Sequence, residues 1–244
     1  MANGFLNQIL GAVPLAELPP MEQVPLIGRR VLHEQDASIN DVFFVETGMV
    51  SVTVDTHDGS QIEVYTVGSE GVVGISAILT PLPISPYRTF TQIQGTAYRI
   101  GLPNLQAAFE RSPTFRNLCL NYIELAIVQL AIGAACNARH SLSERLARWL
   151  LLMHDYAGQD DVPVTQELLS IMLGVRRSSV TTAINVFRTR GLISLSRGIV
   201  RVLNRDGLLA ASCGCYRSFA GHRERLRATA LPPSPKSLEP NVAH

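Results

Sequence analysis

The stretch that decides the fold is V-T-Q-E-L-L-S-I-M-L-G-V-R-R-S-S-V-T-T-A-I-N-V-F-R-T-R-G-L-I, Val164 to Ile193. Thr165 can cap a helix whose apolar face is Leu168, Leu169 and Met172. Gly174 stands where a tight turn between helices needs a left-handed residue, which glycine adopts without steric cost. Val175 can plug the angle. The spacing predicts a second helix from about Arg177 to Arg190, burying Val180, Ala183, Ile184 and Phe187. Its outer face then carries Arg176, Arg177, Ser178, Thr181, Thr182 and Asn185, all hydrogen-bonding and none acidic. Such a face suits a DNA major groove, where the first residues of a helix meet base edges.

Two short strands are expected next, Gly191–Ser196 and Ile199–Leu203, around Arg197-Gly198. They form a basic hairpin that sets Arg197 and Arg201 beside a phosphate backbone. Helix, turn, helix and basic hairpin in this order read as a winged helix-turn-helix between roughly Val162 and Leu203. The competing reading, a generic helical domain with a surface hairpin, does not require an outer face free of acids.

Charge supports the division. Residues 1–138 hold six arginines and no lysine against twelve acidic residues, whereas residues 139–244 hold fifteen basic residues against eight acidic ones. An acidic front joined to a basic back fits a sensor or scaffold attached to a nucleic-acid binder. At 244 residues and 46% hydrophobic content the chain can fill two cores. Met1–Leu10 lacks the basic start and apolar run of a signal peptide. Leu118–Cys136 is the most apolar stretch, but Asn121, Glu124 and Gln129 interrupt it, so no membrane span is expected. The chain reads as cytoplasmic.

Upstream, Val31–Ile100 reads as short strands: Val42–Val45, a turn at Thr47-Gly48, Met49–Val54, a hairpin turn at Asp58-Gly59, Ile62–Val67, Arg88–Ile93 and Thr96–Ile100. Strands at this spacing argue for a small antiparallel barrel or roll. Pro113 then opens a long helix carrying two apolar stripes. One is Phe115, Leu118, Tyr122, Leu125, Ile132 and Cys136, with Gln129 in the gap; the other is Leu120, Ile123, Ile127, Leu130 and Ala134. One face can pack on its own roll. The other needs a partner, most simply the same helix of a second subunit; a monomer's core helix is the alternative. Ser141 and Glu144 have capping-box spacing ahead of another helix to about Asp155.

The ordered set of β-roll, long helix and winged helix resembles the Crp/Fnr family of bacterial regulators across roughly residues 25–216. The match T-Q-E-L-L-x-x-M-L-G-V-R-R-S-S-V-T followed by R-G-L-I carries the resemblance, with a C-x-C-Y from Cys213 to Tyr216. It implies an α+β fold: an N-terminal antiparallel β-roll (double-stranded β-helix, jelly-roll-like), a long dimerisation helix and a C-terminal winged helix. The expected divisions are a lead-in at 1–24, the cyclic-nucleotide-binding-like roll at 25–112, the dimer helix at 113–138, the DNA-binding domain at 139–216 and an extension at 217–244, its end without order.

The resemblance implies a homodimer sealed by Leu120, Ile123, Ile127, Leu130 and Ala134, bound to a pseudo-palindrome in double-stranded DNA, with RNA polymerase as a further partner. Arg177, Ser178, Thr181 and Thr182 are the expected base contacts, and Thr165, Arg176, Ser179 and Arg197 the expected backbone contacts. In the family's catabolite-activator branch an Arg, a Glu and a second Arg read bases. They match Arg177, Ser178 and Thr182, so only the first is kept and the operator should differ.

An effector site is less well provided. Gly74, Arg88 and Thr89 fall where the family holds a phosphate, but Ile75 replaces the ribose-binding carboxylate, and Leu130 and Ala131 replace the adenine-recognising hydroxyls. Each lost hydrogen bond to a charged group removes about 1.5–3 kcal/mol. Cyclic AMP binding is therefore not expected, and the effector stays open. No cofactor is expected. No metal site is assigned either: Cys213-x-Cys215 lacks evident partners, no cysteine precedes Cys119 to hold an iron–sulfur cluster, and His33, His57 and His140 are isolated. No nucleophile–base pair or nucleotide loop suggests an enzyme. The alternative function is a sensory module whose winged helix contacts proteins.

Overall fold

The computed structural model describes residues 3–57 and 59–221. Asp58 and the expected terminal extension beyond residue 221 lie outside the described residues. A first helix, α1 (Gly4–Ala12), precedes six strands: β1 (Glu22–Leu26), β2 (Val31–His33), β3 (Asp41–Asp55), β4 (Gln61–Val67), β5 (Val72–Val73) and β6 (Arg88–Gly101). Then come α2 (Leu102–Arg111), the long α3 (Pro113–Arg139) and α4 (Leu142–Ala157). The C-terminal part is β7 (Asp161–Pro163), α5 (Gln166–Leu173), α6 (Arg177–Thr189), β8 (Ile193–Ser196), β9 (Ile199–Val202) and α7 (Arg205–Ala211).

The roll is antiparallel, in the order β1-β6-β3-β4, with β2 added to β6 and β5 to β3. It is built on two long strands, not the run of short ones expected. Thr47-Gly48 reads as a turn in the sequence, yet β3 continues through it and pairs with β6 from Asp41 opposite Gly101 to Thr53 opposite Arg88. The reason is a glycine pair at the bend. A Cβ on Gly48 would fall 2.4 Å from the Ile93 carbonyl oxygen, and one on Gly95 2.1 Å from that of Thr47. Register slips at Val45/Thr47, Thr47/Met49 and Met49/Val50 curl the sheet here. Val45, Val50, Val52, Val67, Val73 and Ala97 fill the inside.

Helix α1 seals one end of the roll. Asn3 Oδ1 accepts from Leu6 N at 2.6 Å, and Asn3 Nδ2 donates to the carbonyls of Val45 and Gly71 at 2.6 and 2.8 Å. Phe5 stacks on Tyr122 of α3 with ring centroids 4.9 Å apart. Helix α3 starts at the Ser112 cap with Pro113 in its first turn. By length and composition it could cross a membrane, but Phe115, Leu118, Tyr122 and Leu125 are buried in the core shared with the roll.

The capping box forms as its spacing predicts: Ser141 Oγ accepts from Glu144 N, and the Glu144 carboxylate accepts from Ser141 N at 2.8 Å. Helix α4 is the spine of the C-terminal core. Leu146, Trp149, Leu150 and Met153 lie against Leu169, Val180, Ile184, Phe187, Val200 and Leu208. The same core reaches into the roll through Met49, Phe90 and Ile93. The two halves are thus docked.

A polar contact lies in that docking surface. Glu63 of β4 accepts from Ser51 Oγ at 2.7 Å and from Trp149 Nε1 at 2.8 Å. Burial pushes its carboxyl up to about 7, against the two hydrogen bonds and nearby Arg148 that favour the charged form. At the same interface Tyr156 donates to Glu70 Oε1 at 2.7 Å, its ring laid over Gly68, where a Cβ would come within 2.1 Å.

Candidate nucleic-acid interface

The reading head is assembled from its caps inward. Thr165 Oγ1 accepts from Leu168 N at 3.1 Å and starts α5. Gly174 closes it at φ 62°, and its N–H bonds back to the carbonyls of Ser170 and Ile171. Two residues later α6 begins, with Arg176 in the cap position and no side-chain cap bond. Val180, Ala183, Ile184 and Phe187 are buried, as the spacing requires.

The opposite face is open. Arg176, Arg177, Ser178, Ser179, Thr182 and Asn185 are exposed. Among the described residues neither guanidinium of the Arg176-Arg177 pair enters an ion pair. The first turn of α6 carries no acid, so its uncapped N–H groups and the positive end of the helix dipole face outward with the two arginines. Thr182 Oγ1 donates to the Ser178 carbonyl at 3.1 Å, which leaves its lone pairs free to accept.

One member of the expected face behaves differently, and one residue outside it joins the open side. Thr181 is half-buried, and its hydroxyl lies 2.9 Å from Gln166 Oε1, tying α6 to α5. Val186, which a search for polar residues passes over, is 45% exposed on the outer side. A branched apolar group there suits the methyl of thymine.

The wing is a three-stranded sheet in the order β7-β9-β8. Its tip is the two-residue turn Arg197-Gly198, at φ 41° and 82°, the pair of positive angles that a tight hairpin needs. Arg197 is exposed, and Gly198 lies against Thr165 at the start of α5, so wing tip and helix cap share one surface. Arg201 is engaged within the wing. It was expected beside phosphate, but β7 (hidden in a segment that reads as a break) sets Asp161 directly opposite it. Both carboxylate oxygens accept from Arg201, at 2.5 and 2.7 Å.

The three expected effector residues, Gly74, Arg88 and Thr89, have protein neighbours in this structure. The Thr89 hydroxyl is buried against His33, 3.2 Å from Nδ1 and 3.1 Å from the backbone N–H. His33 Nε2 is 2.8 Å from the Asp41 carbonyl, and the ring occupies the space beside Gly74. Burial lowers the His33 pKa, which favours the neutral ring. Arg88 Nε lies 3.4 Å from the Glu34 carboxylate.

On α3, Leu120 and Ile127 are 41% and 60% exposed. Ile123 and Leu130 are half-buried, and Ala134 is exposed. The sequence shows no partners for Cys213 and Cys215; the fold brings Cys136 and His140 against them, the four ligand-type atoms lying within 4.8 Å of one another. Nothing local to the C-x-C could have signalled contacts so far along the chain.

Two family models match. Residues 28–112 fit the cyclic nucleotide-binding domain and residues 144–211 the Crp-like helix-turn-helix domain, together more than half of the chain. The chain belongs to the Crp/Fnr family. No curated protein matches it in sequence. Among solved structures it is similar to a Crp/Fnr-family transcriptional regulator from Eubacterium rectale, with a TM-score of 0.71 and 17% identity over 84% of this chain and 98% of that one. FixK2 from Bradyrhizobium japonicum has a TM-score of 0.66 and 16% identity over 80% and 98%. TTHB099, a CRP-family transcriptional regulator from Thermus thermophilus, has 0.66 and 18% over 78% and 96%. At these identities the structures speak for the fold; the helix-turn-helix model speaks for DNA binding.

Proposed function

We propose that this Crp/Fnr regulator works as a cytoplasmic homodimer that reads a pseudo-palindromic promoter site and makes contact with RNA polymerase there. The observation that carries the reading is the open face of α6, where Arg176 and Arg177 are exposed and, among the described residues, enter no ion pair beside a helix start without a side-chain cap. Arg177 is the base reader, aimed at guanine, where a bidentate contact discriminates by about 1–3 kcal/mol. Ser178 and Thr182 line the same groove, with Thr181 at its edge. Thr165, Arg176, Ser179 and Arg197 hold phosphates and fix the register.

The twin reading heads are placed by α3. Leu120, Ile123, Ile127, Leu130 and Ala134 form an apolar seam that a second copy covers, and operator half-sites then lie about 34–36 Å apart. The effector is left open: the roll matches the cyclic nucleotide-binding domain, while Thr89 is hydrogen-bonded to His33 and the His33 ring to the Asp41 carbonyl.

Fluorescence anisotropy on a promoter site against scrambled DNA tests this. Arg177→Ala should weaken specific binding about 5- to 150-fold, the equivalent of that contact energy, with scrambled DNA little affected. Arg176→Ala should weaken both alike. Equal binding of the unsubstituted protein to both duplexes at moderate salt would reject the reading.

A further inference from the structure

Four ligand-bearing side chains meet where the DNA-binding domain joins α3. Cys136 and His140 are one helical turn apart at the end of α3, His140 being its C-cap residue. Cys213 and Cys215 come from the far side of the winged helix, just beyond α7. Cys136 Sγ is 3.5 Å from Cys213 Sγ, and Cys215 Sγ is 3.6 Å from His140 Nδ1. All four ligand atoms lie within 4.8 Å of one another.

These distances have a chemical meaning. Tetrahedral zinc binds thiolate at about 2.3 Å and imidazole at about 2.0–2.1 Å, so the edges of its ligand tetrahedron measure about 3.4–3.8 Å. The two short contacts have that length. A disulfide would need its sulfurs at about 2.05 Å, and all four cysteines are free thiols. Three thiols and one imidazole make a soft, nitrogen-containing set that favours zinc over magnesium or calcium.

The surroundings fit an anionic centre. Three thiolates on a divalent ion leave one net negative charge. Arg148 of α4 lies beside the cluster, its charge felt at Cys136 and Cys215, and its guanidinium rests on the Phe219 ring at 5.3 Å. Arg145 is also close to Cys136. Buried Nε atoms of both arginines lack a hydrogen-bond partner, and among the described residues neither arginine forms an ion pair. Tyr216, next in the C-x-C-Y, donates to Asp155 of α4 at 2.7 Å and accepts from Arg205 at 2.7 Å, which holds the segment in register.

We propose that Cys136, His140, Cys213 and Cys215 bind one zinc-class divalent ion, which clamps both ends of the winged-helix domain to the tip of the dimer helix. Each thiol releases its proton to solvent as its sulfur takes the ion, and His140 binds through Nδ1 as the neutral ring. The clamp spans the α3–α4 junction at His140–Ser141. It therefore fixes the angle at which α6 is carried by α3, and stripping the ion loosens that angle.

The test is a cobalt titration of the full-length, reduced, chelator-stripped protein, with metal content of the untreated protein measured alongside. One cobalt per chain is expected, with thiolate charge-transfer and tetrahedral ligand-field absorption that zinc abolishes. Cys215→Ser and His140→Ala should each weaken zinc by more than the ~10–100-fold typical of losing an outer-shell partner. Cys119→Ala, in the separate core of the roll, should change nothing. The unsubstituted protein decides the matter even if a variant misfolds. Failure to bind cobalt tetrahedrally would overturn the proposal; so would an unchanged spectrum in Cys215→Ser, a Cys136–Cys213 disulfide in the purified protein, or an iron–sulfur chromophore. DNA binding that persists without any metal would leave the reading-head assignment standing and remove only the clamp.

Discussion

Replacing Glu63 by glutamine isolates the polar contact between the roll and the winged-helix domain. Glutamine keeps an acceptor for Trp149 Nε1 and a polar group for Ser51, but it cannot ionise. The wild-type carboxyl moves from an ordinary 4.5 to about 7 when buried. Below pH 4.5 it is protonated whether the surface is docked or open, and the shift costs nothing. Between about 4.5 and 7 the open form loses its proton while the docked form keeps it, so stability falls as pH rises. Above 7 both forms are charged and the whole cost is present, about 3 kcal/mol at 1.36 kcal/mol per pH unit. Glu63→Gln should therefore gain on wild type by about 3 kcal/mol between pH 4.5 and pH 8. The chain has a single tryptophan, and it is Trp149 itself. Urea titrations followed by its fluorescence at several pH values read the quantity at the contact. A stability difference that stays flat from pH 4.5 to 8 would refute the reasoning.

Three other outcomes follow from the same geometry. Ile127→Glu puts a charge in the middle of the exposed seam of α3 and should convert a dimer to monomer in sedimentation while leaving the monomer's circular dichroism unchanged. Gly174→Ala forces a Cβ into the left-handed region at φ 62° and should cost about 1–2 kcal/mol in urea denaturation. Thr165→Ala removes the α5 cap and should cost about 1 kcal/mol of stability, with an added loss of affinity for specific and random DNA alike.

The winged helix was legible because its signals are local. Thr165, Gly174, Val180, Ile184 and Phe187 each follow from helix spacing or from one backbone conformation, and each sits where that logic puts it. The buried stripe of α3 was legible for the same reason. The long strands were not, because Gly48 looks like a turn until Gly95 is brought against it from 47 residues away. Glu63 gives no sequence sign of burial either; it looks like any polar residue of a half-exposed strand. The role of Arg201 depended on β7, a strand of three residues that ends in Pro163. For Cys213 and Cys215 the missing information was the placement of Cys136 and His140, on an element more than seventy residues earlier.

The central claim is that the outer face of α6, carried twice on a dimer, reads sequence. Selection of binding sites from a randomised duplex pool with the purified protein tests it most directly. The account predicts an enriched inverted repeat with half-site centres one helical turn apart, about 10–10.5 base pairs, and a guanine preference within each half-site that Arg177→Ala erases. A pool that stays random after repeated rounds, or a motif that Arg177→Ala leaves intact, would contradict it.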